Sequence, residues 1–95
     1  MDAKLRSVLL FDVADDTPHR VLTEATEVGV AAARALLGSV VDTAGALGSA
    51  SGGKKRVRVE LAMRAAPAAV MQAERAFAAA FMDALERKGH AVERL

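Results

Sequence analysis

Apolar and polar residues alternate at every second position in the segment 55–65. A period of two is typical of a β-strand with one buried face and one exposed face. The segment 4–13 is rich in Val, Leu and Phe and ends at a cluster of turn-forming residues, so we predict another strand there. Both faces of the predicted strand 4–13 are partly apolar, which favours a central position in a sheet. Its more apolar face carries Leu5, Leu9, Phe11 and Val13.

Two other segments repeat their apolar residues at intervals of three and four, the spacing of one face of an α-helix. The first predicted helix begins at Pro18, where Asp16 or Thr17 can cap it, and stops at Gly38. The second predicted helix begins at Pro67 and ends before Gly89. Weak alternation over the last five residues predicts a short edge strand.

The segment 39–47 is compatible with two structures. It continues the first helix, or it forms a short strand. A continuous helix from Pro18 to Leu47 would be about 45 Å long, which is too long to pack against the predicted strands. The segment also contains adjacent valines and a threonine, which favour a strand over 39–44. The glycine- and serine-rich residues 45–54 are then predicted as a flexible hairpin loop.

The predicted order is strand, helix, strand, strand, helix, strand. With two right-handed βαβ crossovers, this order predicts an α+β, ferredoxin-like split βαβ sandwich. Its first and third strands lie in the middle of a small sheet, and both helices cover one face. The length of 95 residues fits a single domain over 1–95.

The amino-acid composition excludes several kinds of catalytic and metal-binding site. The chain has no Cys, Trp or Tyr and two His, so disulfides, thiolate chemistry and Cys-based zinc sites are excluded. General acids and bases other than carboxylates are scarce, and we predict a protein that is not an enzyme and needs no cofactor or metal. The 53% of hydrophobic residues include 22 alanines, so larger apolar side chains are few for this size.

We expect no secretory signal at the start of this sequence. Its first residues include an early Asp, and its longest uncharged apolar runs, such as 76–82, are much shorter than the roughly 20 residues that span a bilayer. We therefore expect a cytoplasmic location and no membrane partner.

The sheet face away from the helices is predicted to be an interface. It would carry a small apolar patch with a charged rim, which is typical of an association surface. We expect a homodimer or higher oligomer that serves as a structural or protein-interaction module, with itself or another protein as partner. The predicted interface residues are Val8, Leu10, Arg58, Glu60, Ala62 and Arg64.

A small-ligand sensor is the first alternative. From Val8 to Leu22 the chain has a strand, then D-D-T-P and a helix that begins V-L. This stretch resembles the opening of ACT regulatory domains, although His19 stands where that family usually has Gly. The resemblance implies the split βαβ topology and an amino-acid site between subunits. The corresponding ligand loop would contain Asp15, Asp16, His19 and Arg20.

Nucleic-acid or ribosome association is the second alternative. The predicted strand 54–64 contains five basic residues and one acidic residue. Such a stripe can contact phosphates without reading a base sequence. Base stacking needs aromatic rings, and this strand has none. We therefore rank a nucleic-acid partner below a protein partner.

Overall fold

Strands and helices follow one another in the predicted order in a computed structural model, which describes residues 3–37, 42–49 and 52–95. The chain forms a small α+β structure with an antiparallel sheet and two helices. The strands are β1 (Ala3–Ala14), β2 (Asp42–Ser49), β3 (Lys54–Ala65) and β4 (Val92–Arg94), and the helices are α1 (His19–Leu37) and α2 (Pro67–Arg87).

β1 and β3 lie side by side in the middle of the sheet, whose strand order is β2-β3-β1-β4. Their antiparallel pairing runs the whole length of both strands, from Ala3 opposite Ala65 to Ala14 opposite Lys54. Side chains alternate across a strand, so this register puts the odd-numbered residues of both strands on one face. The even-numbered residues form the other face.

β2 differs in extent from the prediction for this part of the chain. It is a strand rather than a continuation of α1, and it pairs with β3 as far as Ser49. The predicted loop over 45–54 therefore begins too early and ends one residue too late, because Lys54 belongs to β3. Glycine, alanine and serine have low strand propensity, but β3 offers a continuous row of backbone partners that outweighs it. Residues 39–41 lie outside the described residues.

The face of odd-numbered residues carries the hydrophobic core. Leu9, Phe11 and Val13 are each at most 1% exposed, which confirms the predicted buried face of β1. The ring of Phe81 stacks beside that of Phe77, with centroids 5.6 Å apart, and lies 4.5 Å from the ring of Phe11. These three rings join β1 to α2. The core residues of β3 are Val57, Val59, Leu61, Met63 and Ala65.

Helix α1 approaches α2 closely at Gly29. A Cβ atom at this position would lie 2.7 Å from two ring carbons of Phe77. Carbon atoms in favourable contact are about 3.5–4 Å apart. Ala25 and Ala33, four residues before and after Gly29, are also buried. Small residues on this side of α1 therefore let the phenylalanine ring pack against the helix backbone.

We expect Gly29→Ala to lower the free energy of unfolding by about 1–3 kcal/mol, because the new methyl group overpacks the contact with Phe77. In an exposed helix the same change would stabilise by about 1 kcal/mol. Urea unfolding followed by circular dichroism measures the difference. The double variant Gly29→Ala with Phe77→Leu should lose less free energy of unfolding than the two single variants lose together. A Gly29→Ala variant as stable as the wild type would contradict this account of the contact.

Candidate interaction surface

The even-numbered residues of β1 and β3 form the open face of the sheet, which is turned away from the core. At its centre Val8 lies opposite Glu60, and Leu10 lies opposite Arg58. Val8 is 48% exposed, whereas Leu10 is half-buried. The register places all six predicted interface residues on this open face: Val8, Leu10, Arg58, Glu60, Ala62 and Arg64.

Arg56 and Asp12 form the best-defined ion pair of the open face. They lie opposite each other on β3 and β1. The Arg56 guanidinium donates hydrogen bonds to both carboxylate oxygens of Asp12, at 3.0 and 3.4 Å. This hydrogen bond is the main cause that lowers the pKa of Asp12 below its ordinary value, and burial opposes it. A basic residue of the predicted phosphate-binding stripe is therefore already neutralised within the chain.

Two other basic residues of this stripe also have acidic neighbours. Arg58 donates to the Glu60 carboxylate at 2.9 Å, and Lys54 lies 3.7 Å from the Glu93 carboxylate on β4. Such exposed pairs contribute little to stability. Their effect is on the surface potential, because Arg58 and Glu60 neutralise each other at the centre of the open face, and Lys54 and Glu93 do so at the end beside β4.

We expect Asp12→Asn to flatten the dependence of stability on pH between about pH 5 and pH 2. The folded pKa of Asp12 lies below the unfolded value, so its pair with Arg56 stabilises the fold above the unfolded pKa. That stabilisation is lost as the pH falls through the folded pKa. Thermal unfolding over a pH series measures the slope.

Glu27→Gln provides the control for Asp12→Asn, since it removes an exposed carboxylate from α1. It should leave the slope close to that of the wild type. Equal slopes for the wild type and Asp12→Asn would show that the pair with Arg56 does not couple protonation to folding.

The opposite end of the open face is basic. Lys4 lies opposite Arg64, and Arg6 lies opposite Ala62. All three basic side chains are exposed, and no ion pair joins them to another described side chain. Asp42 of β2 occupies the register position on the other side of Ala62. The open face therefore has a basic end, a centre in which Val8 and Leu10 lie beside the ion pair of Arg58 and Glu60, and a nearly neutral end.

The predicted ligand loop follows β1 and includes the first residues of α1. The Asp15 N–H donates to the Gly53 carbonyl at 3.0 Å, which ties this turn to the connection before β3. A groove beside the turn is lined by residues 12–14, 52–54 and 91–93. The four predicted ligand residues, Asp15, Asp16, His19 and Arg20, are all exposed, and none of them lines this groove.

Thr17 is buried directly before α1, and its predicted capping role is wrong. The first helical hydrogen bonds of α1 run from the Val21 and Leu22 N–H groups to the Pro18 carbonyl. The Thr17 side chain is 1% exposed, and its hydroxyl has no hydrogen-bond partner in the part of the chain that the structure describes. Its carbonyl oxygen instead accepts a hydrogen bond from Lys55 Nζ at 2.6 Å. Packing and this backbone contact hold Thr17 in place.

We expect Thr17→Val to raise the free energy of unfolding by about 1 kcal/mol, because a methyl group of similar size replaces a buried hydroxyl without a partner. Thr23→Val is the matched control. The Thr23 hydroxyl is exposed and donates to the His19 carbonyl at 3.0 Å, so its removal should leave stability unchanged or slightly lower. Chemical denaturation compares the two. A destabilised Thr17→Val would indicate that the Thr17 hydroxyl is satisfied in solution.

A buried polar contact between β1 and α2 escaped the sequence patterns. Ser7 is 5% exposed, and its hydroxyl donates to the Glu74 carboxylate. The other carboxylate oxygen of Glu74 lies 3.8 Å from Arg94 of β4. A serine on the otherwise apolar face of β1 was a signal of a buried partner, but the alternation of the strand does not identify Glu74.

The described ranges show no cluster of metal-binding side chains and no exposed aromatic ring. These ranges contain no group of three or more His, Asp or Glu side chains that could hold a metal ion. All three Phe residues of the chain are fully buried, so the basic strand presents no ring for base stacking. Neither described helix combines the length and the apolar character needed to cross a membrane.

The fold has a counterpart among solved structures. The chain is similar to a C-terminal segment of the alpha subunit of aIF2 from Pyrococcus abyssi, with a TM-score of 0.58 and 11% sequence identity. The similarity covers 97% of this chain and 49% of that chain, so this chain spans about half the length of the other. No protein-family model and no curated protein matches the sequence. At this identity the likeness shows the fold alone.

Proposed function

We propose that this chain is a non-catalytic module with a ferredoxin-like split βαβ fold that forms homodimers through the open face of its sheet. The observation that carries the proposal is the 48% exposure of Val8 at the centre of this face, while the opposite face of the same strands is buried. An apolar centre with a charged rim fits an association surface. The central positions of β1 and β3 support the split βαβ assignment.

The charges of the open face favour a second copy whose strands run antiparallel to the first. Along β1, Lys4 and Arg6 lie at one end, Val8 in the middle and the paired Asp12 at the other end. A two-fold axis across the strands would place Val8 against Val8 of the second copy. The basic end of each copy would then face the nearly neutral end of the other. A parallel arrangement would instead place the two basic ends together, which repulsion disfavours.

We expect light scattering to show that the wild type associates into a dimer as its concentration rises from about 10 µM to about 1 mM. Val8→Lys should yield a monomer, because it places two lysines against each other at the two-fold axis. The new lysine lies opposite Glu60 within its own chain, which favours folding of the variant.

Val28→Lys is the matched control, since Val28 lies on α1 and is 49% exposed. This variant should form the dimer as the wild type does. A wild-type monomer over the whole concentration range would contradict the proposal, and so would a Val8→Lys variant that still dimerises.

The two alternative functions receive less support from the described geometry. The exposed ligand-loop residues, Asp15, Asp16, His19 and Arg20, do not surround the neighbouring groove. Nucleic-acid binding by the strand 54–64 would have to displace the acidic partners of Arg56, Arg58 and Lys54, without help from aromatic rings.

A further inference from the structure

The edge of β1 beside β4 is covered over a short part of its length. β4 pairs with β1 from Phe11 to Val13, and the Leu95 N–H donates to the Leu10 carbonyl at 2.9 Å. Before Leu10, no strand of the described ranges pairs with β1 on this side. We name residues 4–9 of β1 on this side the bare edge, which is about 20 Å long at the usual rise per residue.

The backbone groups of Lys4, Arg6 and Val8 point outward from the bare edge. In an antiparallel strand, the N–H and C=O of one residue point to the same side, and the side alternates along the chain. The Leu10 carbonyl accepts its hydrogen bond from the β4 side. The even-numbered residues before it therefore present their N–H and C=O groups in the same direction. Such a row of backbone donors and acceptors is a template for an added strand.

The charges of the bare edge favour an acidic strand over a second copy of β1. In the antiparallel register that uses all three outward-pointing residues, two copies would place Arg6 directly opposite Arg6. Like charges in this position destabilise strand pairing. Lys4 and Arg64 lie beside each other on the same face as Arg6, so this end of the face attracts a strand with acidic residues at alternate positions.

The helix side of the bare edge carries apolar residues beside the contact between Ser7 and Glu74. Residues seven apart on a helix lie on nearly the same side. In such a series on α2, Leu85 and Ala78 are buried, but Met71 is 56% exposed. This series is adjacent to Glu74, which reaches toward β4. An added strand would continue the cover that β4 provides for α2, and its apolar residues would contact Met71 and the half-buried Leu5.

We infer that the bare edge binds an extended peptide in which acidic and apolar residues alternate, and that this peptide adds a strand to the sheet. Its backbone pairs with Lys4, Arg6 and Val8, its acidic side chains lie on the open face beside Lys4 and Arg6, and its apolar side chains lie against α2. Main-chain hydrogen bonds supply affinity, and the alternation of side chains supplies specificity.

Amide hydrogen exchange tests the pairing directly, with a capped peptide of about seven residues in which Glu alternates with Val. In the free protein, the N–H groups of Arg6 and Val8 should exchange fast, while those of Ser7 and Leu9, which face β3, exchange slowly. Saturating peptide should slow exchange at Arg6 and Val8 by at least about tenfold. Two control peptides should not slow this exchange. In one, the amides that face β1 are methylated, and in the other Lys replaces Glu.

Variants of the protein test the charge match by fluorescence anisotropy of the labelled peptide. Arg6→Glu should weaken binding of the Glu peptide at least about tenfold and should allow binding of the Lys peptide. Arg34→Glu makes the same charge change at an exposed position of α1 and should bind like the wild type. Equal affinity for the Glu and Lys peptides would overturn the inference.

Two other outcomes would also overturn it. No slowing at Arg6 and Val8 with saturating peptide would show that the bare edge does not accept a strand. Protection of these amides in the free protein that grows with protein concentration would show that a second copy occupies the edge. Light scattering without peptide tests the open face, whereas amide exchange at Arg6 and Val8 of the wild type with peptide tests the bare edge, so failure of one proposal is distinguishable from failure of the other.

Discussion

The pairing of β1 with β3 is the constraint on which the rest of the structure depends. It runs without interruption from Ala3 opposite Ala65 to Ala14 opposite Lys54. A shift of one residue in this register would exchange the two faces of both strands. The register therefore decides at once which side chains build the core and which form the open face. The core phenylalanine of β1 and the candidate surface take their positions from it.

The core compensates for its few large side chains by close packing. The chain contains 22 alanines, and small residues on α1 allow contact with the ring of Phe77 that a larger residue at Gly29 would prevent. The three phenylalanines are fully buried in one cluster. Because all of this packing lies on one side of the sheet, Val8 on the other side is not covered by the described helices.

The charged residues divide the sheet surface into regions of different net charge. Near β4, acidic residues pair with the basic residues of β3, as Asp12 does with Arg56. At the other end, Lys4, Arg6 and Arg64 have no described acidic partner, and here the edge of β1 is bare as well. Lysine and arginine on a free edge disfavour pairing with an identical edge. This difference in charge is the basis for proposing a second copy at the open face and an acidic strand at the bare edge.

The sequence by itself determined the elements, their order and the buried face of each central strand. Burial of one face imposes a period of two on a strand such as 55–65 and a period near 3.6 on a helix, and both periods are visible in the residue order. The sequence also predicted that the six interface residues share the open face, because the same alternation assigns each of them to that face. The extent of β2 was not predictable, because its glycines and alanines pair only through the backbone of β3.

Tertiary structure alone decided the contacts between residues that are far apart in the chain. The alternation of β1 shows that Ser7 is buried, but its partner Glu74 depends on where α2 crosses the sheet. The pairing of Arg56 with Asp12 depends on the register of two strands. The bare edge arises because β4 reaches β1 near Phe11. Local patterns record whether a residue is buried, whereas the identity of its neighbours follows from how the elements pack.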